Sequence, residues 1–229
     1  LNEVSAIIDL MHGQVGAAYG DSYEEGVTRR TVVNVPEVST IKIGSIFAGA
    51  YGNETYLPCD VYDANVNYLS KSEDAYLIYD PERKDENTGA KLGHPMMKGA
   101  IYGGNNFARR TLYGKVNINV PVRQKHYQYN MTTATVYGAG CGSRTWNEYT
   151  EVNLKAGASV YEVYGGGEAG GVMSAESVQT YINQNPYNIE ADAWKAAWTL
   201  GGGYDPESLS TGYVNNSYTN LENPLARQA

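Results

Sequence analysis

Phenylalanine is nearly missing from this 229-residue chain, which has two, while cysteine and histidine are scarce at two and three, and charged side chains make up only 18%. Each shortage excludes something. Cys59 and Cys141 form no CxxC pair and have no adjacent histidine, which argues against a zinc site and a disulfide-rich framework. Two separate thiols or a single bridge both remain open, because the small residues of Gly138-Ala139-Gly140-Cys141-Gly142 can seat either. His12, His94 and His126 stand in unlike contexts with no HExxH or triad-like neighbour, so surface or structural roles are expected and no metal or cofactor is. Seventeen basic against 25 acidic residues give a net charge of −8, which argues against a nucleic-acid partner held by phosphate neutralisation. No apolar run approaches the roughly 20 residues of a membrane span. Leu1 opens no basic and apolar leader, so a signal peptide is expected outside this segment, which reads as part of a longer chain.

What is abundant is glycine, tyrosine and asparagine, at 26, 21 and 20 residues, a composition suited to strands closed by tight turns. These residues recur in order. An apolar or small residue followed by Tyr-Gly occurs at Ala18-Tyr19-Gly20, Ala50-Tyr51-Gly52, Ile101-Tyr102-Gly103, Val136-Tyr137-Gly138 and Val163-Tyr164-Gly165. Val-Asn follows each of the first four tyrosines by 14 or 15 residues, at Val33-Asn34, Val66-Asn67, Val116-Asn117 and Val152-Asn153, with a degraded copy at Val178-Gln179. Between the two signals lies a basic turn at Thr28-Arg29-Arg30-Thr31, Ala108-Arg109-Arg110-Thr111 and Ser143-Arg144-Thr145. The tyrosines are 32, 51, 35 and 27 residues apart, so the unit is a module with insertions of variable length.

Each signal reads as a short strand. Stacked rungs would bury the valines in a continuous interior and let the asparagines on the opposite face hydrogen-bond from rung to rung. The expected fold is therefore mainly β: a right-handed parallel β-helix, or β-solenoid, over 1–185, with a charged loop insertion at 70–98 in which Ala75-Tyr76-Leu77-Ile78-Tyr79 is a candidate strand. A sandwich or propeller is the alternative, but a propeller wants a more constant period. Val4, Ile7, Ile8 and Met11 have helical spacing near the N-terminus. A clearer helix is expected at 189–200, capped by Asn188 and stopped by Gly201-Gly202-Gly203, with 174–183 as a further candidate and a linker-like tail. These place one or two short helices within 186–229 and its approach.

Ile101-Tyr102-Gly103-Gly104-Asn105-Asn106, Tyr113-Gly114-Lys115-Val116-Asn117-Ile118 and Val163-Tyr164-Gly165-Gly166-Gly167-Glu168 resemble the Tyr-Gly-Gly repeats of large autotransporter- or adhesin-like surface proteins of anaerobic gut bacteria. The resemblance covers roughly 13–171. It implies a glycine-rich β-helix that is secreted or displayed on the cell surface, and it brings no catalytic motif. Tyrosine accounts for 21 of 26 aromatic residues, and exposed tyrosine with asparagine and arginine can contact sugars. The candidate binding residues are Tyr102, Arg109, Arg110, Tyr137 and Tyr164, against the plainer reading that the tyrosines form a structural ladder. An adhesin-like or structural scaffold that contacts glycans on a host or bacterial surface is thus the leading expectation. The alternative is a carbohydrate-active β-helix enzyme, a polysaccharide lyase or glycoside hydrolase, with Asp60, Asp63, Arg109, Arg110 and Lys115 as its candidates. Their spacing singles none of them out, and no residue is assigned a catalytic role.

Overall fold

The computed structural model of the chain describes residues 5–23, 26–52, 59–82, 84, 87–90, 97–106, 110–126, 131–142, 145–168 and 171–172. These residues are mainly β, and no helix occurs among them. The strands are β1 (Ala6–Asp9), β2 (Gln14–Tyr19), β3 (Gly26–Val35), β4 (Lys42–Phe47), β5 (Cys59–Tyr68), β6 (Tyr76–Tyr79) and β7 (Ala100–Tyr102). They continue with β8 (Arg110–Ile118), β9 (Arg123–His126), β10 (Thr132–Thr133), β11 (Thr135–Tyr137), β12 (Trp146–Leu154), β13 (Glu162–Tyr164) and β14 (Gly171–Val172).

The chain alternates between two sheets. The first is ordered β1-β3-β5-β8-β12-β14, which is chain order, and every pairing in it is parallel. The other strands form the second sheet, parallel except where β10 meets β9. Parallel neighbours need a crossover, and here each crossover is itself a strand of the opposite sheet. Five turns of chain can be followed in this way: β1–β2, β3–β4, β5 with β6 and β7, β8 with β9 to β11, and β12 with β13.

The Val-Asn signal stacks in register as its spacing suggests. Ile8, Val33, Val66, Val116 and Val152 lie side by side across the first sheet. Val33, Val66 and Val116 are fully buried against Ile43, Ile46, Leu77, Ile101 and Val136 of the second sheet. Each such side chain contributes about 1.5–3 kcal/mol of burial, so the core is a column between the sheets to which every turn adds. On the outer face the next position carries Asp9, Asn34, Asn67, Asn117 and Asn153. The Nδ2 of Asn34 donates to Asp9 Oδ1 at 2.8 Å, and each later asparagine donates to its predecessor's Oδ1 at 2.9 Å.

The tyrosine signal stacks as well, with one change of register. The ladder is Tyr19, Phe47, Tyr102, Tyr137 and Tyr164, with ring centroids 4.9, 4.5, 5.0 and 5.2 Å apart and planes nearly parallel. Phe47, rather than Tyr51, supplies the second rung. Tyr51 instead sits four residues further on, bridged to Tyr23 and Asn106, and Asn106 is in turn bridged to Cys141. Glu168 joins this short third stack, since its N–H donates to Gly140 and its carbonyl accepts from Gly142. Glycine after the ladder ring has a steric reason: a Cβ on Gly103 would lie 2.2 Å from the Gly138 carbonyl oxygen.

Three expectations are corrected. The stretch around Ile7 and Ile8 is strand β1, because pairing with β3 alternates Ile8 toward the core and Ile7, 63% exposed, toward solvent. The basic segment Thr28–Thr31 lies within β3 rather than in a turn; there Arg30 faces Asp63 of β5 at 3.5 Å. The first half of the 70–98 insertion belongs to the coil, since Ser70 is buried on the Ser39 carbonyl and β6 pairs with β4. Cys141 is a buried free thiol. The helices expected at 174–183 and 189–200, the Val178 copy and the tail fall outside the described residues.

Candidate functional site

The second sheet forks. Along one edge, the start of β4 pairs with β6 (Lys42↔Tyr76, Ile43↔Leu77) and its end pairs with β7 (Ser45↔Ala100, Phe47↔Tyr102). β6 passes its pairing on to β9, while β7 passes its own to β11 and then β13. The third and fourth turns thus each give this sheet strands on both branches, β6 and β7 from one and β9 and β11 from the other. Where β6 ends, the chain is tied to the start of the other branch by the antiparallel bridge of Tyr79 with Lys98 and by Asp80 N–H donating to Met97 O at 2.7 Å. Between the two branches opens a cavity of about 610 Å³, within the size range of small-molecule sites.

Tyr79, Gln124 and His126 line one side of it, and Lys98, Ala100, Tyr102, Thr135 and Tyr137 the other, with Tyr161 and Glu168 from the fifth turn. At its inner end four side chains meet. Lys98 Nζ lies 2.9 Å from Glu168 Oε1 and donates to Cys141 Sγ at 3.3 Å, while the Tyr102 hydroxyl donates to Glu168 Oε2. The Cys141 thiol lies 3.7 Å from the same Oε2. Burial pulls Lys98 down, but its hydrogen bond to Glu168 and the Glu168 charge outweigh it and hold the ammonium above its ordinary value. Burial likewise disfavours the Glu168 anion, yet hydrogen bonds from Tyr102 and Lys98 leave the carboxyl below its usual range. Burial, with adjacent negative charge, pushes the Tyr102 phenol up, and burial raises the Cys141 thiol although Lys98 opposes it. Burial and the Glu168 charge raise Tyr137 to about 12. At neutral pH the cluster is therefore an ion pair flanked by neutral donors, and the thiol is protonated and poorly nucleophilic.

Tyr102 and Tyr137 both reach this cavity, Tyr102 fully buried and Tyr137 half-buried. Their ring faces are covered by neighbouring rungs, so only their rims and hydroxyls face a ligand. Tyr164 lies on β13, stacked on Tyr137, with its hydroxyl on Glu162 at 2.9 Å. Arg110 begins β8 on the first sheet, away from the fork, and its side chain, like those of Arg109 and Asp60, lies outside the described residues. Asp63 is engaged by Arg30 and by Asn65. Lys115 pairs at 3.0 Å with Glu151, whose carboxyl is pulled to about 2 by Tyr113, Asn153 and Lys115. That network sits on the outer face of the first sheet. His12 bonds Thr40 at 2.8 Å, whereas His126 stacks on Tyr79 at the fork.

Lys98, Gln124, His126 and Tyr79 were missed in the sequence because none of them stands in either repeat signal: Tyr79 ends β6, Gln124 and His126 lie on β9, and Lys98 precedes β7. Glu168 had a usable signal: it stands four residues after a ladder tyrosine, as Tyr23, Tyr51, Asn106 and Cys141 stand after theirs or after Phe47. The chain matches no known family model, no curated protein and no solved structure, so the geometry alone carries the functional argument.

Proposed function

We propose that this chain is a right-handed β-helix module of a secreted or cell-surface protein, serving as an adhesin-like scaffold that holds glycans in the fork cavity. The observation that carries this reading is the cavity itself, which lies where the β6–β9 and β7–β11 branches of two consecutive turns diverge and where tyrosine rims surround a compact polar cluster. Polar groups held in fixed positions among aromatic side chains are a usual make-up of a site that orients a small polar ligand. The coil handedness follows the strong preference of parallel crossovers for the right hand. The surface location rests on the Tyr-Gly-Gly resemblance.

The test is retention of immobilised plant and mucin glycans by the purified chain, with the supernatant assayed for new reducing or unsaturated ends. Retention without new ends is expected. Loss of all retention refutes glycan binding. Release of new ends, abolished by Glu168→Gln, replaces the scaffold by an enzyme that uses the Lys98–Glu168–Tyr102 cluster.

A further inference from the structure

Resting on the reading of the fork as a glycan site, we infer that its ligand is an uncharged, hydroxyl-rich saccharide rather than an acidic one. Charge is the first argument. Lys98 is the one lysine or arginine lining the cavity among the described residues, and it is already held by Glu168 at 2.9 Å. Glu82 and Glu168 bring two carboxylates to the same lining. A ligand carboxylate or sulfate has to displace Glu168 from Lys98 and then face an uncompensated carboxylate in a half-buried site, which is a steep electrostatic cost. The chain's net charge of −8 repels acidic polymers at longer range as well.

The second argument is the set of unused hydrogen-bonding groups. Tyr79, Thr135, Tyr137 and Tyr161 line the cavity, and their hydroxyls bond to no protein group among the described residues. Lys98 has three N–H donors and places one on Glu168 and one on Cys141, which leaves a third. Neutral donor-acceptor groups of this kind match sugar hydroxyls, which both give and accept. Tyr161, 71% exposed and stacked on no other ring, supplies an open aromatic face for the apolar side of a pyranose.

The experiment measures binding of the intact chain to neutral hexasaccharides (β-glucan, xylan, mannan and α-glucan fragments) and to acidic ones (oligogalacturonate, oligoalginate, chondroitin sulfate), by calorimetry. Three variants accompany it, one of them Tyr161→Ala, which removes the open aromatic face. Tyr137→Phe deletes one cavity hydroxyl but keeps the ring stack, and Tyr113→Phe makes the same change on the opposite sheet. Binding is expected for at least one neutral probe and for no acidic probe, with little dependence on salt. Tyr137→Phe is expected to weaken it by a few-fold to about tenfold, the worth of one hydrogen bond, and Tyr113→Phe to leave it unchanged. A preference for acidic probes overturns this inference while leaving glycan binding intact. Binding of no probe overturns the glycan reading itself. Neutral binding that ignores Tyr137→Phe and Tyr161→Ala, in variants whose thermal melts match the parent, moves the site away from the fork.

Discussion

Replacing Asn117 with leucine removes the middle link of the asparagine ladder while nearly preserving shape. The side chain donates to Asn67 Oδ1 and accepts from Asn153 Nδ2, both at 2.9 Å, so two hydrogen bonds are lost together. At a net value of about 1 kcal/mol each, and with half-buried partners that water reaches only in part, the expected loss is about 2 kcal/mol. For a chain of this length that lowers the melting temperature by about 4–8 °C. Asp9→Ala is the internal calibration. It removes only the bond from Asn34, at 2.8 Å, and should cost about half as much. Asn117→Asp probes the direction of the ladder, because a carboxylate still accepts from Asn153 but sets an oxygen against Asn67 Oδ1. That opposition raises the folded-state pKa of the new carboxyl above its unfolded value. Its penalty is therefore full at neutral pH, fades as the pH falls through that raised folded value, and is gone below the unfolded value of about 3.9, where the protonated group can donate again. Thermal melts followed by circular dichroism at about pH 7 and about pH 3.5 decide the matter. Melting of Asn117→Leu within about 1 °C of the parent, or a deficit of Asn117→Asp that does not shrink in acid, refutes the ladder as a source of stability.

Gly103→Ala and Gly165→Ala change the same repeat position in different surroundings. The Gly103 methyl meets the Gly138 carbonyl oxygen at 2.2 Å, whereas no described atom lies within 4 Å at Gly165. The first should lose on the order of 2–3 kcal/mol and the second stay within about 0.5 kcal/mol of the parent, so equal denaturant midpoints contradict the close-approach explanation. Acid unfolding reports on Glu168, whose folded-state pKa is depressed by Tyr102 and Lys98. Its stabilising contribution is complete above the unfolded glutamate value of about 4.3 and is lost as the pH falls through the folded value. Lys98→Met should move the acid midpoint to higher pH, and superimposable acid limbs would show that the pair contributes nothing.

The Val-Asn half of the repeat was legible because two constraints act on adjacent residues of one strand. Val33, Val66 and Val116 must be apolar, and Asn34, Asn67 and Asn117 must pair with their own kind, so the dipeptide recurs without drift. The tyrosine half is less constrained. Any flat ring fills the ladder, and the second turn uses Phe47 followed by Ala48, while Ala50-Tyr51-Gly52 four residues later mimics the motif. The N-terminal strand was misread because four residues of β1 are too few to separate a period of two from one of 3.6, and its partner β3 is distant in sequence. The fork was hidden for a different reason. It is built from residues outside the repeat signals, such as Lys98 and Gln124, which meet only because β4 pairs with both β6 and β7 and so opens two branches at one level.

The asparagine ladder also has a sense of direction. Every amide in it points its N–H toward the preceding turn, and the row starts at Asp9, whose carboxylate has no N–H to give. At the other end, among the described residues, Asn153 spends its donors on Asn117 and Glu151 and turns an empty acceptor outward. The first described link therefore differs in kind from the rest: a carboxylate accepts at Asp9 where an amide accepts at every later one, so Asp9 takes a hydrogen bond from Asn34 but has none to pass on toward a preceding strand.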